Sequence, residues 1–481
     1  MFDVAIIGCG VVGASITYRL AAYNLKTVVL EAENDISTGT TKANSGIVHA
    51  GYDPKPGTLM AKLNVEGAQM IRELAPKLDI PYKQIGSLVL AFSQEEVATL
   101  HDLLKRGLAN GVQELRIIEQ QELRAMEPEL SHSALAALHA PTAGVIIPWE
   151  LTLGMAEVAV NNGVQIKLNS KVIGISKEQD CYRLQTTSGE YKTRFVVNAS
   201  GIHADQVHNL IAQPEFTIHP NKGEYYLMDK QEGTRVKRVI FQCPTKVGKG
   251  ILVSPTAHGN LIVGPNAVDV SGNDTSTDIN NLEFIIQSAR KSVPQVNVRA
   301  NIRNFAGVRA VADVDDFIIR FAQGEERFLD VAGIKSPGLT AAPAIGKMAV
   351  ELLAERGLPL DKKADFQDSR KVVRFSELSV AEKKSLIANE PAYGRIICRC
   401  ENVTEGEILA ALHGPITPVS IDAIKRRTNA GMGRCQGGFC GPRVLELISR
   451  ELNIAPCDVL QDTAGTKILA CETKKRGTKH V

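Results

Sequence analysis

The sequence predicts an α/β protein. A parallel sheet wound by helices is joined to an interleaved α+β domain of mostly antiparallel strands, and a small cysteine-bearing domain stands at the C-terminal end. Three observations predict this. Strand, helix and strand patterns follow one another between Phe2 and Glu31. Residues 216–265 alternate short β-type runs with turns. Four cysteines, Cys398, Cys400, Cys435 and Cys440, gather after a polar stretch.

The first tract carries the most information. Phe2-Asp3-Val4-Ala5-Ile6-Ile7 is an apolar strand-type run ending at Gly8-Cys9-Gly10-Val11-Val12-Gly13, which fits G-x-G-x-x-G. Val12, Ile16, Leu20 and Tyr23 then recur near one helical face, and Thr27-Val28-Val29-Leu30 reads as a second strand closing on Glu31. This Rossmann-like βαβ unit with an acidic end is the arrangement that binds a dinucleotide. Gly8 permits a tight turn, Gly10 lets backbone approach a pyrophosphate, and Gly13 lets helix pack close to strand. The helix N-terminus offers N–H groups and a positive dipole end to the phosphates. Glu31 suits a ribose diol. The fingerprint itself does not separate FAD from NAD.

Next comes Ser37-Thr38-Gly39-Thr40-Thr41-Lys42-Ala43-Asn44-Ser45-Gly46, whose hydroxyls and amides suit phosphates and a ring edge at close range; an ordinary surface loop is the plainer alternative. Residues 47–51 read as extended, 53–57 as a turn and 58–74 as a helix. Strands are expected at 87–92 and 135–138, and helices at 94–108, 120–126 and 151–161, the last capped by Gly163. Four β-type runs follow at 164–168, 172–176, 182–187 and 193–197. The last leads into Asn198-Ala199-Ser200-Gly201, a return to the first sheet. Beyond the 216–265 tract, a helix is expected at 280–291, strands at 303–311, 317–320 and 328–331, and a helix from 341 to 356.

Composition excludes several classes. The chain has 481 residues, 44% hydrophobic and 22% charged, as in soluble globular proteins. A net charge of +2 supplies no bulk basic field for nucleic acid. No run approaches the roughly 18 apolar residues of a membrane span. A strand starting at residue 2 leaves no room for a leader, so a cytoplasmic protein is expected. Nine cysteines are too few and too unevenly spread for a disulfide scaffold. Four clustered late suggest metal or redox chemistry in a reducing compartment. Cys9, Cys181, Cys243, Cys457 and Cys471 read as ordinary cysteines.

Five ordered stretches carry a family resemblance across roughly residues 2–354. They are the βαβ fingerprint with Glu31; Thr41-Lys42-Ala43-Asn44-Ser45-Gly46 with His49; Val197-Asn198-Ala199-Ser200-Gly201; Phe305-Ala306-Gly307-Val308-Arg309; and Gly333-Ile334-Lys335-Ser336-Pro337-Gly338-Leu339-Thr340. This region resembles the glycine-oxidase-like FAD oxidoreductases of the D-amino-acid-oxidase superfamily. The resemblance implies FAD, held along Gly8, Gly10, Gly13, Glu31, Thr40, Thr41, Asn44, Ser45, Gly46, Ala199 and Gly201. It also implies a last loop with Gly333, Ser336, Gly338, Leu339 and Thr340 against the isoalloxazine. The glycine-rich turn is expected to open the following helix at Ala341 and aim N–H groups at the flavin. His49 is implied in the active site, either as the base for a substrate hydroxyl or as a histidine that only bonds flavin or backbone. Arg309 is implied as the holder of a substrate anion, for which its planar fork is suited. Lys222-Gly223-Glu224-Tyr225-Tyr226 is a second matched element, which makes Lys222 and Tyr225 substrate-side candidates. Lys55 and Lys62 are further cations, better read as solvated.

Cys398-x-Cys400 and Cys435-x4-Cys440 supply four thiolates for zinc or an iron–sulfur cluster. With Arg426-Arg427-Thr428 and the glycines at 431, 433 and 437, the spacing resembles the bacterioferritin-associated-ferredoxin-like [2Fe-2S] domain. The organisation expected is an FAD oxidoreductase over 1–356, a linker over 357–393, the cluster domain over 394–458 and a polar tail over 459–481. FAD-binding parts are expected at about 1–80, 145–210 and 325–356, and substrate-domain parts at about 81–144 and 211–324.

A flavin domain joined to such a cysteine domain resembles the A subunits of anaerobic glycerol-3-phosphate dehydrogenases. This implies oxidation of sn-glycerol 3-phosphate and a redox partner subunit or carrier, with possible peripheral membrane association through that partner. Asn44-Ser45-Gly46-Ile47-Val48-His49-Ala50-Gly51, Lys55-Pro56-Gly57-x-x-x-Ala61-Lys62-Leu63 and Gly223-Glu224-Tyr225-Tyr226 also resemble L-2-hydroxyglutarate dehydrogenases. A 2-hydroxy acid, an amino or imino acid, and an electron-transfer subunit without turnover are the other readings.

Overall fold

The structure is a computed structural model that describes residues 1–244 and 250–473. Residues 245–249 of the expected strand-and-turn tract and 474–481 of the expected tail lie outside the described residues. The chain divides into two units. Met1–Ala32 and Ile36–Lys371 form the first; Glu33–Asp35 and the chain from Val372 onward form the second.

Local sequence explains the first sheet of the first unit. Thr27–Leu30 is buried at every position and lies between two parallel neighbours, Phe2–Ile7 and Gln165–Lys167. A strand covered on both faces needs a continuous apolar run rather than an alternating one. On its other side Phe2–Ile7 pairs in parallel with Gly189–Asn198, which pairs in parallel with Phe328–Ala332. The strands Val172–Glu178 and Cys181–Thr186 extend this sheet as an antiparallel meander. The sequence assigns residues 318–321 to the second domain, but Ile318–Phe321 pairs with Phe328–Ala332 in this first sheet.

Helices Val11–Leu20, Leu59–Lys77, Pro148–Asn161 and Gly338–Glu355 pack among themselves beside the sheet. Leu59–Lys77 is pinned at its start by Thr58, whose hydroxyl accepts the Ala61 N–H, and by Asp316, whose oxygens accept from Leu59 and Met60. The final helix opens at Gly338, three residues before the expected start, with Pro337 at its N-cap.

Among the described residues the second sheet has nine strands. Its pairings are antiparallel except between Val239–Gln242 and Ser87–Ala91. At its centre Ile218–Met228 runs beside Asn301–Ala312, with Asn221 opposite Arg309, Gly223 opposite Gly307 and Tyr225 opposite Phe305. Side-chain alternation sorts this sheet into two apolar layers. Leu88, Leu90, Tyr226 and Val263 pack with Leu282, Ile285 and Ile286 of the helix Ile279–Ser292. Val89, Tyr225, Phe241 and Ile262 pack with Ile47 and Ala50. A three-stranded sheet of Ile47–Val48, Gly144–Ile146 and Tyr82–Lys83 places His49 one residue beyond a strand end.

The stretch expected as a linker is shared out. Leu358 is buried, Asn24 N–H bonds the Asp361 carbonyl, Asp368 bonds Tyr18 and Lys77, and Arg370 pairs with Glu157, all within the first unit. Residues from 372 onward, with the helix Val380–Asn389, belong to the second. The polar composition read as a linker here encodes specific ion pairs.

The second unit surrounds a small core of Ile408, Leu412, Ile424, Val444 and Ile448, with Cys398 and Cys440 in the same cluster. The helices Glu405–Leu412 and Ile421–Thr428 begin at side-chain caps: Thr404 with Glu407 forms a capping box, and Ser420 accepts the Ala423 N–H. Val459 is buried in this core, and the Ile421 N–H donates to the Leu460 carbonyl, so the start of the expected tail is packed. Asp35 is buried between Arg426 and Arg427. Burial pushes its carboxyl up, but the two guanidiniums outweigh burial and hold it at about 2.

Candidate active site

The glycine turn behaves as its spacing predicts. Gly8 has φ of +95°, and a Cβ there would lie 2.7 Å from the Ala199 carbonyl oxygen. A Cβ on Gly13 would overlap the Gly8 carbonyl, so helix and strand meet at backbone contact. At Gly10 a Cβ would meet only Thr41 Oγ1, at 3.2 Å. Glu31 is buried, and its Oε2 accepts the Cys9 N–H at 2.7 Å, which fixes the carboxylate at the strand end. Ala199 follows the strand Gly189–Asn198, its N–H donating to the Ile7 carbonyl at 3.0 Å, and Gly201 opens the next turn. Open backbone at a helix N-terminus beside an oriented carboxylate fits a dinucleotide.

In the loop after Glu31 the polar side chains have specific protein partners. The hydroxyls and amides expected to face phosphates are largely engaged with protein. Thr40 Oγ1 donates to the Val308 carbonyl at 2.5 Å, and Thr41 Oγ1 accepts the Val11 N–H at 3.0 Å. Asn44 bonds the Thr41 carbonyl at 2.8 Å and accepts the Gly46 N–H at 2.8 Å. These side chains shape the loop and tie it to the first helix and to the Asn301–Ala312 strand. Ser45 is half-buried beside them.

The last loop meets the His49 segment from far along the chain. Thr340 Oγ1 accepts the His49 N–H at 3.0 Å, 291 residues apart, and donates to the Ile47 carbonyl at 3.3 Å. Thr340 is fully buried. Its side chain therefore ties the His49 main chain to the last helix. Ser336 Oγ lies 3.5 Å from His49 Nε2, and the imidazole stacks on Phe241 with centroids 5.8 Å apart at 29°. Gly333 turns the chain out of its strand, with the Lys335 N–H on its carbonyl at 2.8 Å. Gly338 and Leu339 begin the helix, where first-turn amides have no partner within the helix itself.

Arg309 and Tyr225 share one face of the second sheet. The Arg309 Nη1 donates to Asn221 Oδ1 at 2.6 Å and to the Lys222 carbonyl at 3.4 Å, and Nη2 donates to the Asn266 carbonyl at 3.1 Å. Tyr225 is buried and stacks on Phe305 with centroids 4.8 Å apart at 9°. Burial pushes its phenol up, with the adjacent Arg309 opposing. Lys222 does not join this group. It sits one residue off in register, on the face toward the Ile279–Ser292 helix, and its ammonium bonds Asp274 at 2.9 Å and the Ser276 carbonyl at 3.0 Å. That partnership engages its ammonium with protein groups. Strand alternation already separates Lys222 from Tyr225 in the sequence. Asn221, Phe241 and Asn266 were not singled out by motif; only the tertiary pairing of their strands brings them to the site. Lys55 pairs with Asp315 at 2.9 Å and is largely exposed.

The four late cysteines come together in the second unit. Cys400 and Cys435 have sulfurs 3.6 Å apart. The Cys440 thiol bonds Cys398 and holds its pKa down, at about 6. Cys440 stands at the N-cap of the helix Gly441–Leu452. A Cβ on Gly433 would overlap Cys400, so the glycine lets the second cysteine loop close over the first. Among the described residues no three His, Cys, Asp or Glu side chains are grouped around a single metal ion. Instead the sulfurs form two pairs, a thiolate donor set suited to a two-iron cluster.

Fold and site thus define a flavin-dependent oxidoreductase with an appended iron–sulfur unit. The model of the family described as FAD dependent oxidoreductase matches residues 3–352, and that of the BFD-like [2Fe-2S] binding domain matches residues 396–450. The chain belongs to the FAD dependent oxidoreductase family, and its cofactors are FAD and a [2Fe-2S] cluster. It is 47% identical to the glycerol 3-phosphate dehydrogenase of Caloramator mitchellensis, over 98% of this chain and 99% of that one. It is 30% identical to the mitochondrial L-2-hydroxyglutarate dehydrogenase of Mus musculus, over 73% of this chain and 88% of that one. Among solved structures it is similar to dithionite-reduced L-alpha-glycerophosphate oxidase from Mycoplasma pneumoniae with FAD bound. The TM-score is 0.74 and the identity 32%, covering 77% of this chain and 99% of that one. No helix among the described residues is long and apolar enough to cross a membrane.

Proposed function

We propose that this chain oxidises sn-glycerol 3-phosphate to dihydroxyacetone phosphate. The observation that carries the reading is 47% identity to a glycerol 3-phosphate dehydrogenase along nearly the full length of both chains, the cysteine unit included. The side chains of the site suit the chemistry. FAD, when bound, accepts the hydride at N5, and the [2Fe-2S] cluster passes electrons on singly. His49 takes the hydroxyl proton; its N–H bond to Thr340 and its stacking on Phe241 hold the ring in one orientation. Arg309, fixed by Asn221 and Asn266, holds the phosphate. Tyr225 lines the same face.

Gly8, Gly10, Gly13 and Glu31 hold the adenine-dinucleotide end. The 40–46 loop, with Ala199 and Gly201, closes around it, and Gly333, Ser336, Gly338 and Leu339 border the flavin ring. Cys398, Cys400, Cys435 and Cys440 ligate the cluster. A cluster held there would supply one-electron transfer toward a separate redox partner, a subunit or carrier, in the cytoplasm or at the inner face of the membrane through that partner.

A second reading, L-2-hydroxyglutarate or another 2-hydroxy acid, is favoured by the 30% identity to the mouse dehydrogenase. A panel of phosphorylated alcohols, 2-hydroxy acids and amino acids, each mixed anaerobically with the holoenzyme, tests both. Fastest bleaching of the flavin by sn-glycerol 3-phosphate is expected. Fastest bleaching by a 2-hydroxy or amino acid overturns the reading, and bleaching by none leaves an electron carrier without turnover.

A further inference from the structure

The strands Leu261–Gly264 and Val268–Asp269 both pair with Ile218–Met228, the first opposite Tyr226 and the second opposite Lys222. Between them the chain bulges through Pro265, Asn266 and Ala267. Asn266 is 7% exposed, and of its main-chain carbonyl and two side-chain polar groups, two are committed. Its Oδ1 accepts the Glu224 N–H at 2.8 Å, in place of a ladder carbonyl, and that bond identifies which end of the carboxamide is oxygen. Its main-chain carbonyl accepts Arg309 Nη2 at 3.1 Å. The third group, Nδ2, is buried with no protein partner. Buried donors are nearly always satisfied. The nearby carboxylate of Glu224 is already taken up by the Asp278 N–H at 3.0 Å and by Asn281 Nδ2 at 2.8 Å.

We propose that Asn266 is a substrate-binding residue whose carboxamide Nδ2 donates to the substrate phosphate beside Arg309. This rests on the reading of Arg309 as the anion holder. A phosphate monoester has three terminal oxygens, so a guanidinium and a neutral amide reach different oxygens of one group. The amide adds a donor without a second positive charge. It is also rigid, because the bond to Glu224 and the bond from Arg309 fix the residue at both ends.

Two variants test this in the holoenzyme. Asn266→Asp keeps the shape and the acceptor for the Glu224 N–H, but puts an oxygen where the donor stood. Asn266→Ser removes the amide without adding charge, and carries the test if the first variant loses FAD. Inorganic phosphate binding, followed by flavin absorbance, is expected to weaken roughly 10- to 100-fold, and KM for sn-glycerol 3-phosphate to rise by a like factor. With glycerol, which carries no phosphate, the loss in kcat/KM is expected to be several-fold smaller than with sn-glycerol 3-phosphate. Unchanged phosphate affinity in a variant that retains FAD overturns the proposal. So does an equal loss with glycerol, since that marks a structural role. If wild-type flavin is not reduced by sn-glycerol 3-phosphate while phosphate affinity still depends on Asn266, the substrate reading falls and the anion donor stands.

Discussion

The Arg309 guanidinium lies directly against Gly223, where a Cβ would overlap Nη2. The two residues sit on adjacent strands of the second sheet, and the missing side chain of one is the space occupied by the other. Gly223→Ala should therefore displace the guanidinium while leaving its charge in place. Arg309→Lys keeps the charge and loses the planar fork. Each is expected to raise KM for sn-glycerol 3-phosphate and to lower kcat/KM by roughly 30-fold, as about 2 kcal/mol of charge-assisted bonding is lost. Wild-type kinetics in Gly223→Ala would show that the anion is held elsewhere.

His49 is tied to Thr340 through its main-chain N–H, so changing the side chain leaves that tie intact. His49→Ala and His49→Gln are expected to retain FAD and to reduce it about 10²- to 10⁴-fold more slowly, the usual cost of a lost general base. Anaerobic stopped-flow measurement decides; reduction at the wild-type rate makes this histidine structural.

Gly10 and Gly13 should fail differently. Space at Gly10 admits a side chain, so Gly10→Val is expected to fold and to exclude the dinucleotide. Gly13→Ala drives its Cβ into the Gly8 carbonyl and is expected to lower the melting temperature of the apoprotein as well. Denatured wild type should release a flavin with the mass of FAD. A flavin that stays with the denatured chain would contradict non-covalent binding.

Iron and acid-labile sulfide are expected near two each per chain after anaerobic purification, and dithionite should produce a low-temperature paramagnetic signal. In Cys435→Ser the substrate should still bleach the flavin, while transfer to the physiological acceptor collapses. Stoichiometric zinc, or full acceptor activity without the cluster, would refute this exit route.

Stability should depend on pH through His208. Its ring is fully buried between two acceptors, with Nδ1 2.7 Å from Asp330 Oδ2 and Nε2 2.8 Å from the Gln213 carbonyl. An imidazole that donates to both carries both protons. The bond to Asp330 raises its pKa, and burial opposes without cancelling. The stabilisation is thus fully present below the unfolded value of about 6.5 and is lost as pH rises through the higher folded value. The melting-temperature advantage of wild type over His208→Gln should be largest near that lower limit and should shrink on the alkaline side. A constant difference would mean that the ring is neutral throughout.

The sequence by itself determined the strand and helix order of the first unit, the glycine turn with Glu31, the four late cysteines, and the stretches that meet at the site. These depend on local rules: period-two and helical spacing, the steric demands of a turn, and the soft-donor chemistry of thiols. Tertiary structure alone decided how individual polar side chains are used. Thr340 faces His49 because the last helix returns beside the Ile47–Val48 strand, and Thr40 bonds Val308 and Thr41 bonds Val11 because the Asn301–Ala312 strand and the first helix lie against their loop. Lys222 belongs to Asp274, and Asn266 stands beside Arg309, because strands distant in sequence pair in one register. A hydrogen bond or ion pair is settled by which partner arrives within about 3 Å, and for Thr340, Thr40, Thr41, Lys222 and Asn266 the partner lies tens to hundreds of positions away, beyond the reach of any local pattern.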